Sequence, residues 1–127
     1  MIEFVLDSSA ILAAILGEVG AERVAAARRR ARVSVVNYSE VIAKLVDEGL
    51  TPAQAEDAAE RLGCEVMDAD KHRSALAGLL HGKTRRRGIS LGDRYCLQLA
   101  MELGVPVLTT DRSWASLDLG VEVVVIR

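Results

Sequence analysis

Four acidic residues, Asp7, Glu40, Asp93 and Asp111, are the positions in this sequence best placed for chemistry. Each lies just past an apolar, strand-like run or in the first turn of a helix-like run. In a chain that alternates strands and helices, ligands bind beyond the carboxyl ends of the strands. That placement turns four scattered carboxylates into one candidate site. Carboxylates gathered in a low-dielectric cleft repel one another, and a cation relieves the repulsion. Oxygen-only donors suit Mg²⁺ or Mn²⁺, which keep several waters and engage phosphates. The chemistry implied is metal-assisted attack of water on a phosphate-containing substrate.

Each acid also has a plainer explanation. Glu40 and Asp93 could complete capping boxes begun by Asn37 and Ser90, and acids suit helix N-termini in any case. Asp7 could cap the helix that starts at Ser8, and Asp111 could cap the turn through Trp114. Capping explains each acid singly better than it explains all four together. Asp68 and Asp70 follow a strand expected at the outside of the sheet and read as caps. Asp47, Glu48, Glu56, Asp57 and Glu60 read as solvated helix faces. No Ser-His-Asp order or cysteine nucleophile competes. His72 and His81 have no ligand partner at useful spacing and read as surface or packing residues.

The elements that must position these acids follow from pattern. Phe4-Val5-Leu6 reads as a buried strand, followed by an apolar helix from Ser8 to Leu16. A second helix spans Ala21 to Ala31. The β-branched run Val33 to Val36 reads as strand two, with a helix from Asn37 to Glu48. Thr51-Pro52-Ala53-Gln54 is a strong helix start, and that helix ends at Leu62 before Gly63. Cys64 to Met67 is strand three, Ala69 to Leu80 a helix, and Gly82 to Gly88 a basic loop. Ser90 opens a helix that ends at Leu103. Val105 to Thr109 and Val121 to Ile126 are strands four and five, with a short turn or helix from Asp111 to Leu117. Alternating β and α implies an α/β domain with a parallel sheet covered on both faces.

Composition bounds the rest. The chain has 127 residues, which fits a single domain over 1–127. One Trp, one Phe and two Tyr leave an aliphatic core and no aromatic platform for single-stranded nucleic acid. A net charge of −2 gives no global field toward nucleic acid, yet Arg28 to Arg32 and Lys83 to Arg87 are local basic clusters. Cys64 and Cys96 show no metal spacing and read as a reduced, buried pair in a cytoplasmic protein. The uncharged run from Ser8 to Gly17 is far shorter than the ~18 residues a membrane span needs. No membrane association is expected.

Taken in order, Asp7-Ser8-Ser9-Ala10, Glu40, Ile89-Ser90-Leu91-Gly92-Asp93 and Thr109-Thr110-Asp111-Arg112 resemble the motifs of the PIN-domain nucleases. The size and the stretch from Gly82 to Ala100 most resemble the VapC toxins of type II toxin–antitoxin pairs. The resemblance spans nearly the whole chain. It implies a three-layer α/β/α fold with a five-stranded parallel sheet in the order 3-2-1-4-5. It also implies Mg²⁺- or Mn²⁺-dependent endoribonuclease activity and neutralisation by a VapB-type antitoxin. Asp7 and Asp93 match the principal metal-binding acids. Glu40 and Asp111 match the second and fourth acids, which help hold metal or orient water. Ser8 and Ser9 match the small polar residues after the first acid, and Thr110 the polar position beside the fourth. The helical stretch between Glu40 and Cys64 is compact for the family.

Lys83, Arg85, Arg86 and Arg87 lie just upstream of Asp93 and are candidate contacts to RNA phosphates, against a solvated loop as the plainer reading. Arg28 to Arg32 read as a solvated helix end. Ile11, Leu12, Ile15 and Leu16 exceed what one helix face buries against a sheet, which leaves apolar surface for a homodimer or an antitoxin. Two other classes fit less well. A phospho-acceptor receiver domain needs a second acid beside Asp7, where Ser8 stands. A non-catalytic binding protein of the same fold would not need all four acids.

Overall fold

The computed structural model describes residues 1–127. Five strands form one parallel sheet in the order β3-β2-β1-β4-β5. They are β1 (Phe4–Leu6), β2 (Ala31–Ser34), β3 (Glu65–Met67), β4 (Val107–Thr109) and β5 (Val123–Val125). The helices are α1 (Ser8–Leu16), α2 (Ala21–Ala27), α3 (Val35–Asp47), α4 (Pro52–Leu62), α5 (Lys71–Leu79), α6 (His81–Thr84) and α7 (Leu91–Leu103). Two 3₁₀ turns, Arg28–Arg30 and Arg112–Ser116, complete the chain. The expected architecture and strand order are both present.

Strand pleating separates the two helical layers. Val5 pairs with Val107, and Leu6 pairs with Leu108. Successive side chains on a strand point to opposite faces. Leu6 and Leu108 accordingly join α1 to α4 in one core with Val33, Val41 and Leu45. Val5 and Val107 join the other core with Leu97, Leu99 and Trp114. Strand order reverses at β1, between β2 on one side and β4 on the other. Asp7 leaves β1 at that point.

Local signals set most element ends. Thr51 with Gln54 and Ser90 with Asp93 form reciprocal capping boxes, as expected. The second strand departs from expectation. Val35 and Val36 are β-branched yet open α3, because Ser34 caps it by accepting from Val36 N at 3.3 Å. The strand instead ends where β2 meets β3 through Arg32–Glu65, Val33–Val66 and Ser34–Met67. Tertiary pairing thereby overrides propensity. Asn37 is then not a cap, and Glu40 stands one turn deeper in α3 rather than in its first turn. Smaller corrections follow the same logic. α2 stops at Ala27, α5 starts at Lys71 with Asp70 as its cap, and the basic loop begins as the helical turn α6. No helix is long and apolar enough to cross a membrane.

Candidate functional site

Asp7 follows β1 directly and is 4% exposed. It caps α1, as Oδ1 accepts from Ala10 N at 2.8 Å and from Ser9 Oγ at 2.7 Å. Its Oδ2 accepts from Thr109 Oγ1 at 2.5 Å. Burial pushes the Asp7 carboxyl up to about 6; its hydrogen bonds from Thr109, Ser9 and Ala10 oppose that rise, and the charge of Asp93 adds to it. Capping and candidate chemistry therefore coexist in one residue.

Glu40 reaches the same edge from α3. Its Oε1 accepts from Ser8 Oγ at 2.8 Å and from Asn37 Nδ2 at 2.9 Å. Asn37 Nδ2 also donates to Gly92 O at 3.0 Å, on the first turn of α7. The Glu40 carboxylate packs so closely on Gly92 that a Cβ there would meet Oε2 at 2.2 Å and Oε1 at 2.4 Å. Only a glycine permits this approach.

Asp93 is the next residue, and its Oδ2 accepts from Ser90 N at 2.9 Å. Burial raises its pKa most; the bonds to Ser90 lower it, while the charges of Glu40 and Asp111 raise it. Asp111 lies past β4. Its N–H donates to Thr109 Oγ1 at 3.1 Å, and its Oδ1 accepts from Ser113 N and Ser113 Oγ at 2.9 and 2.7 Å.

The four acids thus gather around the carboxyl ends of β1 and β4. Mutual repulsion registers the gathering: Asp7 feels Asp93, and Asp93 feels Glu40 and Asp111. The wholly buried Cys96 thiol beneath them is pushed well up, first by burial and then by Asp7, Asp93 and Glu40. A thiol held protonated in this way is inert. Both Asp7 oxygens are engaged by the protein. Glu40, Asp93 and Asp111 each hold one oxygen against the protein and leave Oε2, Oδ1 and Oδ2 without a hydrogen bond from it.

The side chains converge without closing on one point. No three His, Cys, Asp or Glu residues are arranged to grip a single ion as they stand. The donor set is nonetheless all oxygen, mutually repelling and partly free, which fits a hard divalent cation.

The polar neighbours differ in part from those read in the sequence. Ser8 and Ser9 both touch the acids. At the fourth motif the working hydroxyl is Thr109, which links Asp7 to the Asp111 backbone; Thr110 contributes its N–H to Ser9 Oγ at 3.0 Å. Asn37 and Gly92 join the acidic cluster although their sequence roles pointed elsewhere. The capping-box pattern had absorbed Asn37, and a glycine in a first helical turn carries no signal of its own. Asn37 is wholly buried, with Oδ1 lacking any partner. An unmet buried acceptor of this kind costs about 1–3 kcal/mol.

The basic segment divides. Arg87 donates to Ser113 O at 3.3 Å, to Ser116 O at 3.4 Å and to Ser116 Oγ, so it clamps the turn that follows Asp111. Lys83 lines a groove of about 570 Å³ between α5 and α7, together with His72, Leu76, Leu79 and Met101. None of the four acids lines it. Its walls mix apolar residues with Asp70, Arg73, Gln98 and Glu102, so it is a different set of residues from the acidic edge. Arg85 and Arg86 are exposed and form no ion pair within the chain.

The family model described as "PIN domain" matches residues 4–119. No curated protein sequence matches the chain significantly. Solved structures do. A DNA-bound VapBC from Salmonella typhimurium aligns at 22% identity and TM-score 0.78 over 100% of both chains. VapBC2 from Rickettsia felis, bound to a promoter DNA fragment, aligns at 14% identity and TM-score 0.74 over 98% of both. VapBC-5 from Mycobacterium tuberculosis aligns at 23% identity and TM-score 0.67 over 100% of this chain and 99% of that one. At these identities the likeness is one of fold.

Proposed function

This chain belongs to the PIN domain family, and from that premise we propose that it is a Mg²⁺- or Mn²⁺-dependent endoribonuclease of the VapC toxin type. The observation that carries the reading is the gathering of Asp7, Glu40, Asp93 and Asp111 at one sheet edge, where the charge of Asp93 raises the proton affinity of Asp7 and the charges of Glu40 and Asp111 raise that of Asp93. These four acids would hold the metal. When bound there, a hard divalent cation supplies Lewis-acid activation of water and neutralises charge at a phosphodiester. The side chains would have to draw inward, since no three are poised around one point.

The chain's own residues supply the remainder. Thr109, Ser9 and Ala10 hold Asp7 in a single orientation. Asp111 sits at the exposed rim with Oδ2 free, where it can accept a proton from an attacking water. Arg85 and Arg86 would hold RNA phosphates near that rim and fix register rather than read sequence. A 5′-phosphate product is expected.

Partners belong to the same proposal. A groove between α1, α2 and α4 has an apolar lining of Ala14, Ile15, Ala25, Ala58 and Leu62, with Arg28 and Arg61 also in its walls. That chemistry suits an amphipathic acidic segment of a VapB-type antitoxin. Leu76, Leu79 and Met101 on the α5–α7 face are exposed and suit a homodimer contact.

The test is cleavage of total cellular RNA by the purified protein with Mg²⁺, Mn²⁺ or EDTA, beside Asp93→Asn purified identically. Metal-dependent fragments that vanish in the variant are expected. Equal cleavage by both proteins would overturn the assignment. Tight partner binding without any turnover would instead mark a non-catalytic protein of this fold.

A further inference from the structure

We infer that Asn37 is a positioning residue for Glu40. It locks one carboxylate oxygen to the protein and brackets the side chain against Gly92, so that Oε2 is left for a ligand. The inference rests on the reading of the four acids as a metal site.

Three observations support it. Asn37 Nδ2 directs its two protons to Glu40 Oε1 and to Gly92 O, at 2.9 and 3.0 Å. It therefore ties α3 directly to the first turn of α7 while holding the acid on its own helix. Ser8 Oγ reaches the same Oε1 at 2.8 Å, so two donors converge on one oxygen and none on the other. Gly92 completes the bracket, since any Cβ there would occupy the carboxylate's place.

Helix stability does not account for Asn37. Ser34 already caps α3, so no capping role is left for it. The other buried residues of α3, Val41 and Leu45, are apolar. An asparagine wholly buried with its carbonyl unmatched is a poor choice for packing alone. Its donor side is what the site uses. Partners that orient a ligating carboxylate are worth roughly 10–100-fold in metal affinity.

The experiment is Mn²⁺ titration by calorimetry of wild type, Asn37→Leu, Glu40→Gln and the double variant, with RNA cleavage and thermal melting run in parallel. Leucine keeps the volume and removes both donated bonds. Asn37→Leu should weaken Mn²⁺ binding by about 10–100-fold. In the Glu40→Gln background the same change should have no further effect, because its influence passes through Glu40. If Asn37→Leu does not fold, Gly92→Ala tests the bracket from the other side and should weaken binding over the same range. Wild-type affinity in a folded Asn37→Leu or Gly92→Ala protein would overturn the inference. So would an equal loss with and without Glu40→Gln. A wild type that neither binds Mn²⁺ nor cleaves RNA would overturn the nuclease reading, and this inference with it.

Discussion

Thr109 donates its hydroxyl proton to Asp7 Oδ2 at 2.5 Å, across the β1–β4 seam and 102 positions along the chain. The same oxygen of Thr109 accepts the Asp111 N–H at 3.1 Å. One buried hydroxyl therefore holds the first acid and the backbone of the fourth in fixed relation. Thr109→Val keeps the β-branched shape and removes both interactions. A hydrogen bond to a charged group is worth about 1.5–3 kcal/mol net. The variant should lose stability of that order in urea at pH 8 and less at pH 5, where Asp7 is largely protonated. Equal losses at both values would mean the bond does not serve the charged form.

Asp7 makes apo stability depend on pH with an unusual sign. Its pKa is raised from 3.8 to about 6, so the folded chain holds the proton more tightly than the unfolded one. Stability from this group is fully present below pH 3.8 and is lost as pH rises through 6. At about 1.4 kcal/mol per unit, the loss by pH 8 is about 3 kcal/mol. Asp7→Asn retains a capping side chain. In EDTA it should be more stable than wild type at pH 8, by up to that amount, with the advantage shrinking toward pH 4. Parallel profiles for the two proteins would remove the argument.

Divalent metal should reverse that penalty. A ligand that binds only the folded state adds about 2.7 kcal/mol at 100 times its Kd. Mn²⁺ should raise the wild-type melting temperature at pH 8 and leave that of Asp93→Asn nearly unmoved. Equal shifts in the two proteins would place the binding elsewhere.

The basic segment should split under mutation. Arg85→Glu with Arg86→Glu should weaken RNA binding and flatten its salt dependence, since exposed cations release counterions from phosphate. Arg87→Met should leave the salt slope unchanged and lower the melting temperature, because Arg87 is committed to Ser113 and Ser116. A slope altered by Arg87→Met alone would reverse these roles.

What the sequence determined by itself was set by local physics. Alternating apolar runs specify a parallel sheet, because strands covered on both faces must be apolar throughout. The capping boxes at Thr51 and Ser90 are legible because donor and acceptor lie three residues apart. Asp7, Asp93 and Asp111 are legible as acids at strand ends and a helix start, whereas Glu40 reaches their edge from one turn deeper in α3 than its pattern implied. Tertiary structure decided the rest. Val35 and Val36 read as strand until pairing with β3 ended β2 at Ser34. That shift moved Asn37 from a cap to a buried residue that bonds both Glu40 on its own helix and Gly92 on α7, 55 positions away. It also decided that Thr109 serves Asp7, since its hydroxyl reaches that acid only across the paired β1 and β4. Contacts between distant segments depend on sheet register and helix packing, and no local pattern encodes either.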